Sequence, residues 1–71
     1  MRIWETSPRT FGHDLKELRM DERLTQAELS GRIGRSLDYV GKMENGLRTP
    51  DLETLGRIQR VLRIDEVRMY R

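Results

Sequence analysis

LTQAELSGRIGRSLDYVGKMENG, residues 24–46, is the stretch on which the fold turns. Thr25 followed three residues on by Glu28 forms a capping box, each side chain positioned to bond the other's backbone N–H. Leu29 and Ile33 lie four apart and give the helix an apolar stripe. Ala27, Ser30 and Gly31 are small, which suits close approach of a neighbouring helix. Gly34 tolerates a left-handed turn and ends this helix, and Ser36 caps the next one almost at once. That second helix, residues 37–45, buries Val40 and Met43 and exposes Asp38, Gly41, Lys42 and Asn45. Gly41 costs about 1 kcal/mol relative to alanine inside a helix. Either something approaches the backbone there, or the defect is simply tolerated. Asn45 and Gly46 end the helix. Two helices, a short glycine-containing turn and an apolar anchor in each describe a helix-turn-helix. Such an arrangement turns the start of its second helix outward, where it fits the major groove of DNA. The same geometry also occurs as plain packing in small all-α domains.

Working outward, the spacing predicts a helix over residues 10–22, with Thr10 as its N-cap. Phe11, Leu15 and Leu18 recur on one face, with Asp14, Lys16, Glu17 and Asp21 elsewhere, and Leu24 begins the next packing layer. Arg19 falls beside Leu15 and Leu18, toward the buried side, and so needs an acidic partner. Upstream, residues 1–8 carry no period, and Pro8 keeps Ser7 out of the helical region. Residues 1–9 read as an arm, whose Ile3 and Trp4 either fold back on the domain or meet a second subunit. Downstream, the loop LRTP leads to Asp51, the cap of a helix over residues 52–62. Leu55, Ile58, Val61 and Leu62 share one face of it, which is expected to form the floor under the helix of residues 37–45. Asp65 caps a last short helix, residues 66–70, with Val67 inward and Met69 and Tyr70 over the core or at a dimer contact. The expected organisation is an arm, 1–9, and one all-α domain, 10–71.

Composition narrows the function. A chain of 71 residues is one domain, near the lower limit for an unaided hydrophobic core. Without cysteine it has neither disulfide nor thiolate metal site, which leaves helix packing, with or without self-association, to supply stability. With 37% charged residues and only short apolar runs, no membrane span or secretory signal is expected, and a soluble, cytoplasmic protein is the expectation. The net charge of +2, from 14 basic and 12 acidic residues, suits a nucleic-acid binder and equally a solvated helical surface. Its single histidine, His13, has no histidine or cysteine companion with which to bind a metal or work as a base. The acidic doublets Asp21-Glu22 and Asp65-Glu66 point their carboxylates apart on helices, and no phosphate-cradling glycine loop is present. The expectation is a protein that is not an enzyme and uses no cofactor or metal.

The motifs FG..LKELR, LTQAEL, Gly34-x-Ser36, YVGKMENG and R.PDLETL, with the small residue Ser30, occur together over about four fifths of the chain. In that combination it resembles the lambda-repressor-like, Cro/Xre-type helix-turn-helix DNA-binding domains. The resemblance implies five helices, no sheet, and binding as a homodimer to a pseudo-palindromic operator in double-stranded DNA, as a transcriptional repressor or other regulator. It implies that Gln26 contacts a phosphate and that Ser36, Leu37, Asp38 and Lys42 face base edges, with Gly41 beside them. Asn45, the Gly46 N–H and Arg48 would grip phosphate after the second helix, and Arg19 with Glu44 would form a structural salt bridge. Four residues depart from the family pattern. Arg23 stands where a glycine usually ends the first helix, which forces a non-glycine residue into a left-handed conformation. Arg35 replaces an apolar turn residue, and either snorkels to a phosphate or marks a looser turn. Leu37 can touch a thymine methyl and Asp38 can accept from cytosine N4, though an aspartate also repels phosphate. Two other roles fit the same fold: a DNA-binding antitoxin that masks a toxin, and a protein-interaction module that has lost DNA reading.

Overall fold

Pro8 opens the first helix in the computed structural model, which describes residues 8–63. Four helices follow one another there: α1, Pro8–Asp21; α2, Gln26–Ile33; α3, Leu37–Glu44; and α4, Leu52–Val61, with no strand among the described residues. Ile3 and Trp4 of the arm lie outside the described residues. So do Asp65, Val67, Met69, Tyr70 and the expected fifth helix; the described residues hold the other four. The start of α1 corrects one expectation. Thr10 is not its N-cap but lies inside the first turn, because proline has no N–H to leave orphaned and its φ is already helical.

The other caps follow local sequence. Thr25 accepts the Glu28 N–H at 3.0 Å while the Glu28 carboxylate accepts the Thr25 N–H at 2.8 Å. Ser36 Oγ accepts the Tyr39 N–H at 3.1 Å, and Asp51 Oδ1 the Thr54 N–H at 2.7 Å. Each helix is followed by a residue with positive φ: Arg23 at 59°, Gly34 at 67°, Gly46 at 76° and Arg63 at 55°. After α1, the Leu24 N–H reaches the Arg19 carbonyl and the Arg23 N–H that of Met20. This is the paired closure of a Schellman motif, built on an arginine. After α3, Leu47 and Gly46 bond Lys42 and Met43 in the same way.

Phe11, Leu15, Leu24, Leu29, Ile33, Tyr39, Val40, Met43, Ile58 and Leu62 form one buried core, with Leu18, Leu55 and Val61 packed at its edge. α3 lies against α1 and α2, and α4 packs against α2. The floor under α3 is therefore α1 and α2, not α4. Two arginines help fix α4 in that place. Arg57 Nη1 donates to the carbonyl of Ile33 at 3.0 Å, at the end of α2, and Arg35 Nε donates to Thr54 Oγ1 at 3.0 Å.

Small residues also differ from expectation. Ala27 and Gly31 are exposed and nothing lies within 4 Å of where a Gly31 Cβ would stand. Ser30 is buried, its hydroxyl donating to the Ala27 carbonyl at 2.7 Å. The close helix crossing is at Gly12 instead, where a Cβ would run into the carbonyl oxygens of Met43 and Glu44.

Candidate nucleic-acid interface

α3 carries its inward side chains, Tyr39, Val40 and Met43, into the core. The first turn is fixed by the Ser36 cap, and the last turn by Glu44. Arg19, only 8% exposed, holds Glu44 with Nε to Oε2 at 2.6 Å and Nη2 to Oε1 at 3.1 Å. Its remaining donor, Nη1, goes to the Leu24 carbonyl at 2.7 Å. Gln26 Nε2 adds a third hydrogen bond to Glu44 Oε1, at 3.0 Å. A buried carboxylate with one charged and one neutral donor is a well-satisfied group. α1, the start of α2 and the end of α3 are thereby tied together through one carboxylate.

The opposite face of α3 points to solvent. Leu37 is 53% exposed and stands outside the core, as do Leu47 and Leu52. One turn on, Lys42 Nζ stands 3.2 Å from Asp38 Oδ2, with both side chains largely in water. Gly41 lies beside them, half-buried, with nothing within 4 Å of the site a Cβ would occupy. The fold therefore gives no packing reason for a glycine there. Asn45 follows as the exposed C-cap, its N–H donated to the Gly41 carbonyl.

A second group surrounds Tyr39. The Arg48 guanidinium lies 4.1 Å from the centre of the Tyr39 ring and that of Arg35 5.7 Å, both within cation–π range. Arg35 also reaches Asp51 Oδ2 at 3.5 Å. Burial acts to raise the Tyr39 phenol, but Thr54, Arg48 and Arg35 outweigh it and its pKa lies below the usual tyrosine value. The hydroxyl itself is buried and finds no well-formed hydrogen bond. The backbone N–H and hydroxyl of Thr54 hold the Asp51 carboxyl below its ordinary range, with help from the charges of Arg35 and Arg48.

The structure thus gathers Leu37, Asp38, Gly41, Lys42 and Asn45 on one outward face, beside the capping residue Ser36. Three residues expected at phosphate have other engagements. Gln26 is half-buried against Glu44, Arg35 is bonded to Thr54 and Asp51, and the Gly46 N–H is donated to Met43. Arg35 neither snorkels free nor loosens the turn; it pins the turn to the start of α4. Sequence reasoning missed Tyr39, which was not expected in the core. Its spacing of four from Met43 was the available signal, and the two flanking arginines lie too far away in sequence to be read locally.

Among the described residues no helix is long and apolar enough to cross a membrane. Residues 10–70 match the family model described as a helix-turn-helix domain. The chain is 33% identical over 58 residues to an uncharacterized HTH-type transcriptional regulator, y4dJ, of Sinorhizobium fredii (strain NBRC 101917 / NGR234), covering 82% of this chain and 75% of that one. It is also 33% identical over 55 residues, 78% of this chain, to the ImmF control region 10 kDa protein of Bacillus phage phi105. The chain spans 61% of that phage protein's length. No solved structure matches the chain significantly.

Proposed function

Because this chain belongs to the helix-turn-helix domain family, we propose that it is a sequence-specific DNA-binding transcriptional regulator of the Cro/Xre type, which lays α3 in the major groove of an operator and binds as a homodimer. The observation that carries the reading is the division of α3. Its inner face is wholly engaged in the core, while Leu37, Asp38, Gly41 and Lys42 stand outward with no packing role. An α-helix with its side chains is about 10–12 Å across, close to the roughly 12 Å width of the groove. Both relatives' names accord with a regulator, one being called an HTH-type transcriptional regulator and the other a control-region protein.

Roles divide by chemistry. Lys42 and Asp38 offer a donor and an acceptor to base edges, and Leu37 offers apolar contact to a thymine methyl. Arg48, laid on the Tyr39 ring, is a preorganised cation for phosphate, and Asn45 and Ser36 position the helix beside it. Gln26 and Arg35 serve the interface by fixing α2 and the turn, and reach phosphate only through donors that their internal bonds leave over.

A mobility-shift titration over a range of salt tests this, using duplexes selected from a random pool. Lys42→Ala should cost about 1–3 kcal/mol on the selected duplex and relax preference at one position. Arg48→Ala should weaken all duplexes alike and lower the salt slope by about one. A chain that binds duplex with no salt dependence, or whose affinity ignores both changes, is a protein-interaction module instead.

A further inference from the structure

Asp38 is the least expected residue on the outward face of α3, since a lone carboxylate there repels the phosphates on either side of the groove. It is not alone. Lys42 Nζ lies 3.2 Å from Asp38 Oδ2, and the two side chains are 51% and 74% exposed. An exposed pair four apart on a helix adds little to stability. Both side chains lie largely in water, so the pair is accessible to a ligand.

The pair is an acceptor and a donor about one hydrogen-bond length apart. The major-groove edge of a G·C pair is its complement: guanine shows acceptors N7 and O6, and cytosine N4 is the adjacent donor. O6 and N4 are themselves joined by an N–H···O hydrogen bond, about 2.9 Å long. An A·T pair orders its edge differently. Its donor, adenine N6, lies between the acceptors N7 and O4, so a carboxylate placed there meets an acceptor on either side, with the thymine methyl beyond.

We propose that Asp38 and Lys42 read one G·C base pair as a unit, Asp38 accepting from cytosine N4 and Lys42 donating to guanine O6 and N7. The ion pair is kept in the complex, so neither charge enters the groove uncompensated. Gly41 lies on the same face and lets the α3 backbone approach the base edges without a side chain intervening. This inference rests on the DNA-binding reading and deepens it.

Selection from a randomised duplex pool, with the full chain as wild type, Asp38→Ala, Lys42→Ala and the double variant, tests it. Circular dichroism melts should be unchanged, since both side chains are exposed. The wild-type motif should hold one G·C position per half-site. Exchange of that pair for A·T should weaken binding roughly 5- to 150-fold. Both single variants should lose preference at that same position and keep the others, and the double variant should be no worse than the poorer single. The unit is refuted if the two changes relax different positions additively, or if Asp38→Ala tightens every duplex without altering preference. If the wild type enriches no sequence, the DNA-binding reading falls and this inference falls with it.

Discussion

At Gly12 a single hydrogen atom is all the space between α1 and the carbonyls of Met43 and Glu44. Gly12→Ala should destabilise the fold by about 1–3 kcal/mol, as overpacking against unyielding backbone does. A lower urea midpoint at unchanged slope would show it, and an unshifted midpoint would mean that the helices can part. Arg23 is strained in the opposite sense. At φ 59° an L-residue carries a penalty of about 1–2 kcal/mol, against a glycine entropy cost of roughly 0.5–1 kcal/mol. Arg23→Gly should therefore raise stability by about 0.5–1 kcal/mol, and a loss on thermal melting would contradict that account. The two positions differ in how legible they were. Arg23 could be read because a family pattern marks its place with glycine. Gly12 stood within a quoted motif, yet its partner atoms belong to a helix far along the chain, and no local rule could supply them.

Among the elements, the caps of α2, α3 and α4 were the most legible feature, because a cap is written within four residues, whereas that of α1 was misplaced to Thr10. Thr25 with Glu28, Ser36 and Asp51 all act where local chemistry puts them. The choice of partner helix was not legible. The spacing of Leu55, Ile58 and Leu62 shows which face of α4 is buried and is silent about what covers it. The arginines that settle α4 on α2, Arg35 and Arg57, act through contacts distant in sequence. The caps also set the acid response. Backbone and hydroxyl bonds to Thr25 hold Glu28 below its ordinary 4.5, and the Thr54 N–H and hydroxyl hold Asp51 below 3.8. A carboxyl whose folded pKa is depressed stabilises the fold above its unfolded pKa and loses that contribution as pH falls through the folded value. Stability should thus decline as pH falls below about 4.5, more gently in Asp51→Asn, which keeps an oxygen for the Thr54 N–H but does not titrate. Urea midpoints at about pH 5 and about pH 3 compare the two slopes. Equal slopes would remove Asp51 from the acid response.

For the whole molecule, the described residues extend 28 Å at most, less than the 34–36 Å of roughly one DNA turn between half-site centres. One copy cannot occupy both halves of a palindrome. Footprinting should show two protected patches about one turn apart, with occupancy rising as the square of protein concentration at low loading. A half-site duplex bound as tightly as the full one would argue for monomeric action. The fold class and the outward face of α3 were legible because both follow from periodicity. The Tyr39 cluster was not, since it joins a turn, a helix and a loop that meet only in three dimensions.

α3 also separates two duties that most buried helices mix. Nothing in the core leans on Leu37, Asp38, Gly41 or Lys42, while Arg19, Gln26 and Glu44 hold the helix from its other side. The scaffold is therefore indifferent to what is written on that face. A lineage, or a designer, can exchange those four letters and send the same domain to a new address without relearning how to fold.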